Sequence, residues 1–163
     1  MLKQFSLVFF VLIACYVGVN VRESKHITKE FEVNAPASEV WELCRSLGLK
    51  NLVALLKGDG GVGTVVKTTL VPGISSYTEK FTVIDDQKRV KVAQGLEGDC
   101  LAFGCSVLNL RLEIIEKSQN SSIIKYTVSY TVKKEFQAKD PKPTIQKLEA
   151  MIQLSKEYLE RNN

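Results

Sequence analysis

The chain has 163 residues, 45% of them hydrophobic, which suits one packed domain of ordinary size. Lysine and arginine outnumber aspartate and glutamate by 22 to 18, a net charge of +4. So mild and evenly spread an excess leaves no footprint for nucleic acid, and there is no low-complexity tract or internal repeat.

Residues 1–22 read as a signal peptide, with Lys3 as the positive start and Ser6 to Val17 as the apolar stretch. That stretch falls short of the roughly 20 residues a membrane span requires, so cleavage near Gly18 to Arg22 is expected, with an uncleaved anchor the alternative. Only in the anchored case would the protein sit on a membrane. Asn120-Ser121-Ser122 is a glycosylation sequon in a polar turn and fits a secretory route, to the endoplasmic reticulum, the vacuole or the cell exterior. Outside the leader stand Cys44, Cys100 and Cys105, an odd number that argues against a disulfide framework. On a continuous strand Cys100 and Cys105 would also face opposite sides. With His26 the single histidine there is no zinc-ligand spacing and no Ser/His or Cys/His nucleophile, so no metal is expected.

Residues 26–162 read as one domain. His26 to Val33 alternates as a strand, with Ile27, Phe31 and Val33 inward. Pro36 suits the first turn of a short helix through Val40, Trp41, Leu43, Cys44 and Leu47, which Gly48 ends. Leu49 to Lys57 predicts a second short helix. Gly58, Gly60, Gly61 and Gly63 match the G-x-G-x-x-G dinucleotide fingerprint, but the β-branched run Thr64 to Val71 follows where that fingerprint needs a helix. The glycines instead predict a tight loop running close to other backbone.

From Thr64 onward the pattern predicts an antiparallel meander: Thr64–Val71, Tyr77–Ile84, Lys88–Glu97, Ala102–Glu116 and Ser121–Lys133. Thr144 to Arg161 is a long amphipathic helix with Ile145, Leu148, Met151, Ile152, Ser155, Tyr158 and Leu159 on one stripe. A sheet with one apolar face needs a cover, and this helix is the element long enough to provide it. The expected class is therefore α+β: a curved antiparallel sheet gripping a C-terminal helix, with short helices after the first strand.

Chemistry concentrates between Tyr77 and Glu97. Strand alternation puts Tyr77, Glu79, Phe81 and Val83 on the apolar face and Thr78, Lys80 and Thr82 on the solvent face. Glu79 is then a carboxylate among apolar neighbours, which must find a partner or titrate near neutrality. It is either a structural ion pair at a rim or part of a site. Lys91 on the returning strand is a possible partner. Two registers are open there: Val90, Val92 and Leu96 inward with Lys91 outward, or Lys91, Ala93 and Gly95 inward, whose small side chains would leave a cavity.

The GDGGVG loop, the YTEKF and KRVKV strands, the LEGD turn and the helix-grip plan resemble the plant pathogenesis-related class-10, or birch-pollen-allergen, family. Within it the likeness is greatest to the (S)-norcoclaurine synthases and norbelladine synthases of alkaloid biosynthesis. The resemblance spans His26 to about Asn162 and implies that Lys91 points inward, opposite Glu79. It further implies a condensation of an arylethylamine with an aromatic aldehyde through an iminium, without a cofactor, with Tyr77, Glu79 and Lys91 as the catalytic set. Lys91 would protonate the departing carbinolamine oxygen, Glu79 would take the ring proton on cyclisation, and Tyr77 would hold a phenol hydroxyl at the entrance. Phe81, Leu110, Tyr126, Leu148 and Ile152 would line the cavity of a monomer or homodimer. Two departures stand out. Leu110 falls where the cyclising synthases carry an aspartate, and the short segment from Trp41 to Gly58 implies that the family's second strand is missing, leaving the first strand a poorly paired edge. These favour simple condensation, or, as the alternative, a non-catalytic defence-related binder of apolar ligands or hormones.

Overall fold

The computed structural model describes residues 23–45, 53–69, 76–141 and 145–162, so the expected signal peptide over residues 1–22 lies outside the described residues. Seven antiparallel strands form one sheet in the order β1-β7-β6-β5-β4-β3-β2. They are β1 (Ser24–Val33), β2 (Val53–Lys57), β3 (Val65–Thr68), β4 (Tyr77–Asp85), β5 (Val90–Glu97), β6 (Cys105–Ser118) and β7 (Ser121–Val132). Helix α1 (Ala37–Arg45) follows β1, α2 (Asp99–Phe103) links β5 to β6, and α3 (Ile145–Asn162) covers the concave face. The helix-grip plan expected from the sequence is therefore the plan observed.

The apolar face is continuous because β6 and β7 alternate over most of their length: Ile124, Tyr126, Val128, Tyr130 and Val132 are all buried on β7. Ile152, Ser155 and Leu159 supply the buried stripe of α3, whereas Tyr158 at the edge of that stripe is half exposed. Trp41 and Val40 bury α1 against the same core.

Several expectations need correcting. The predicted helix over Leu49–Lys57 gives way to strand from Val53, and this strand pairs with β3; the second strand is present. Nor is the first strand poorly paired, since all ten residues of β1 register against β7, from Ser24 with Thr131 to Val33 with Ser122. Between Gly98 and Cys105 the chain turns through α2 instead of running on as strand. That helix brings Cys100 and Cys105 to a Cα separation of 5.2 Å, and the two form a disulfide. The odd count misled because Cys44 is the thiol left over.

The glycine loop does run close to backbone: a Cβ on Gly58, whose φ is +102°, would come within 2.8 Å of the Thr64 Cα. Its amides are turned inward. Gly60 N–H donates to Thr64 Oγ1 at 3.0 Å, Gly61 N–H to Asp59 Oδ1 at 2.9 Å and Gly63 N–H to the Phe81 carbonyl at 2.8 Å. A phosphate cradle needs those donors free, so the loop instead pins the backbone of β4 at Phe81. Asn120 is exposed in the turn between β6 and β7.

Candidate active site

A cavity of about 100 Å³ opens between the concave sheet, the end of α1 and the middle of α3. That is room for several waters, and so for a ligand with modest rearrangement. Tyr77, Glu79 and Lys91 all line it, as do Phe81, Leu110, Tyr126 and Ile152. The side chain of Leu148 lies outside the described residues. The glycine loop takes no part in the lining.

Two β-bulges in the β4–β5 pair set the positions of these side chains, one between Thr78 and Glu79 and one between Phe81 and Val83. The second reverses the alternation, so Val83, expected inward, is 43% exposed. Thr78, expected in solvent, is buried and donates to Glu97 Oε2 at 3.0 Å. Of the two registers open for β5, the inward one is realised: Lys91 and Ala93 line the cavity. Gly95 on the same face packs under Leu108, whose Cδ2 would stand 2.9 Å from an added Cβ, and opens no space there. Lys91 is not opposite Glu79, however. Glu79 pairs with Gly95 and Lys91 with Ile84, so the two backbones are offset by about 13 Å along the strand.

The offset leaves each charge with its own surroundings. Lys91 Nζ donates to the Cys44 carbonyl at 2.5 Å and lies 4.7 Å from the centre of the Phe81 ring. That carbonyl belongs to the last turn of α1 (Ala37–Arg45), toward the end that carries the negative pole of the helix dipole. Glu79 is only 7% exposed, and among the described residues no cation comes within 4 Å of its carboxylate. Burial therefore pushes its pKa up from the ordinary 4.5, with the Lys91 charge pulling back only in part. Tyr77 is raised well above its usual value by burial and by the neighbouring Glu79, and its hydroxyl reaches Met151 Sδ at 3.7 Å. Burial likewise lifts the Cys44 thiol to about 11, which removes it as a nucleophile near neutral pH. Tyr126, stacked on Phe31 with ring centres 6.0 Å apart, is raised to about 12 by burial and then by Glu149. It stays a protonated phenol, and its buried hydroxyl has no hydrogen-bond partner among the described residues.

The raised carboxylate has a consequence for stability. A folded-state pKa above the unfolded one means that the native state binds the proton more tightly. The protein is then favoured below pH 4.5 and loses that advantage as pH rises through the folded value. Glu79→Gln should therefore raise Tm at pH 8 and change it little at pH 4, as read by thermal unfolding at both; an equal shift at the two would contradict the buried, weakly compensated carboxylate.

Residue patterns missed Leu43 and Cys44 at the end of α1, and Val66 and Thr68 on β3, all of which line the cavity. Val66 and Thr68 share a strand face, so alternation could have found them. The Cys44 carbonyl left no trace, because its role depends on where α1 stops. Among the described residues no three His, Cys, Asp or Glu side chains gather as metal ligands. No helix among them is long and apolar enough to cross a membrane.

A profile of the pathogenesis-related protein Bet v 1 family matches residues 24–162. Norbelladine synthase of Narcissus pseudonarcissus is 40% identical over 126 residues, 69% of this chain and 77% of that protein. S-norcoclaurine synthase 2 of Papaver somniferum is 33% identical over 150 residues, covering 83% of this chain but 65% of the relative, a little under two thirds of its length. The X-ray structure of norcoclaurine synthase from Thalictrum flavum in complex with dopamine and hydroxybenzaldehyde superposes with a TM-score of 0.73 at 27% identity, over 99% of this chain and 98% of that one.

Proposed function

The chain belongs to the pathogenesis-related protein Bet v 1 family, and from that premise we propose that its cavity condenses an arylethylamine with an aromatic aldehyde. The observation that carries the reading is the pairing of a buried, raised carboxylate with an ammonium in one largely apolar cavity. The relatives named norbelladine synthase and norcoclaurine synthase support it.

In this reading the amine nitrogen adds to the aldehyde carbon and gives a carbinolamine. Lys91 Nζ–H donates a proton to the carbinolamine hydroxyl, the C–O bond breaks, and water leaves the iminium behind. Lys91 reaches that position by leaving the Cys44 carbonyl, which keeps the ammonium inside the cavity until substrate arrives. Where the aryl ring then attacks the iminium carbon, Glu79 takes the ring proton and restores aromaticity. Positioned acid–base groups of this kind are worth roughly 10²–10⁴-fold. Leu110 places an apolar side chain in the cavity lining, which favours the open condensation product and leaves the ring-closed one as the minor product that reports on Glu79. The aldehyde and amine are activated by protein groups alone.

The second reading is an apolar-ligand binder. It is favoured by the absence of a direct Glu79–Lys91 ion pair and by Leu110. Dopamine and 4-hydroxyphenylacetaldehyde decide between the two: product should form faster with folded protein than in buffer between pH 6 and 8. Rates equal to buffer throughout that range would reject catalysis. Saturable binding of an apolar fluorescent probe, unchanged by Glu79→Ala and Lys91→Ala, would then identify the binder.

A further inference from the structure

The turn that joins β4 to β5 is built as a fixed point. Asp85 Oδ1 accepts the Lys88 N–H at 3.0 Å, and the Arg89 carbonyl accepts the Ile114 N–H of β6 at 3.0 Å. Asp86 projects from this turn toward α1. Its Oδ1 accepts the Trp41 indole N–H at 3.0 Å and the Arg45 Nε–H at 2.5 Å, and its Oδ2 accepts from Arg45 Nη2 at 3.1 Å. Trp41 and Arg45 lie one helical turn apart, so a single carboxylate grips two successive turns of α1 at its C-terminal end. Cys44, whose carbonyl holds Lys91, sits between the gripped residues and directly before Arg45.

We propose that Asp86 is a positioning residue, which fixes the end of α1 against the β4–β5 turn and through it sets where Lys91 stands in the cavity. This rests on the catalytic reading of Lys91. An exposed ion pair contributes little to stability by itself, and Asp86 and Arg45 are 56% and 33% exposed. The value of this one lies in geometry. The final turn of α1 is a cavity wall at Leu43 and Cys44, and Lys91 is tied to it at one point. A release of that turn would move the carbonyl and the ammonium together, and a misplacement of about 1 Å can cost on the order of 10²-fold in rate.

The test uses Asp86→Ala, Asp86→Glu, Lys91→Met and the Asp86→Ala/Lys91→Met double variant. Trp41 is the single tryptophan, so a shift in its emission verifies that the grip is broken. Asp86→Ala should lower kcat roughly 10- to 100-fold with KM nearly unchanged, and Asp86→Glu should recover most of it. The melting shifts of Asp86→Ala and Lys91→Met should be sub-additive in the double variant, since both act on the same helical turn. An unchanged kcat in Asp86→Ala, or strictly additive melting shifts, overturns the proposal. If the wild type itself does not condense amine and aldehyde, the proposed reaction fails, and the melting cycle alone decides the coupling of Asp86 to Lys91.

Discussion

Lys91→Met should reduce condensation of dopamine with 4-hydroxyphenylacetaldehyde by roughly 10²–10⁴-fold, nearly to the rate in buffer. Methionine keeps the length and much of the volume of the side chain, and keeps apolar contact with Phe81, but carries no proton to give to the carbinolamine. It also leaves the Cys44 carbonyl without its donor, which costs about 1–3 kcal/mol if that oxygen stays buried. Circular dichroism and a melting curve therefore accompany the rate. Lys80 is the control: it lies exposed on the opposite face of the same hairpin, and Lys80→Met should be close to silent. Equal losses in the two variants, or none in either, would contradict the placement of the proton donor.

Glu79→Gln should separate the two halves of the reaction. The iminium, trapped as a secondary amine by borohydride, should persist, because its formation draws on Lys91. The ring-closed product should fall by roughly 10²–10⁴-fold, because no other carboxylate lines the cavity among the described residues. Glutamine preserves shape and hydrogen-bonding capacity, so a loss of both products in equal measure would point to a structural role for Glu79 instead.

Much of this arrangement was legible in the residues. Alternation along Ser121–Lys133 and the stripe from Ile145 to Leu159 gave the sheet face and its cover, because both are long periodic segments whose burial nothing local opposes. The carboxylate at Glu79 stood out for the same reason, as a charge where the pattern demanded an apolar group. What failed had specific physical causes. The strand Val53–Lys57 is short and leucine-rich, and its pairing with β3 outweighed a helical reading that propensity alone favoured. The bulge after Phe81 shifts the phase by one residue and sends Val83 outward, a step that strict alternation cannot carry. The Cys100–Cys105 link depends on α2 folding the intervening residues back, so spacing read as strand excluded it. The offset of Lys91 from Glu79, and its bond to the Cys44 carbonyl, are tertiary facts: they arise from register and from where α1 ends.

The pairing of a buried carboxylate base with an ammonium acid in one cavity is tested most directly by the pH dependence of kcat/KM for ring-closed product, measured on wild type and Glu79→Gln from pH 4.5 to 8. Because burial raises the Glu79 pKa above 4.5, the base is lost at a pH where an ordinary glutamate would still be ionised. The wild-type rate should fall as pH drops through that raised value, while the protein stays folded, and Glu79→Gln should show a low rate without that fall. A wild-type rate that stays flat down to pH 4.5, or a Glu79→Gln profile that falls in the same place, would contradict Glu79 as the base.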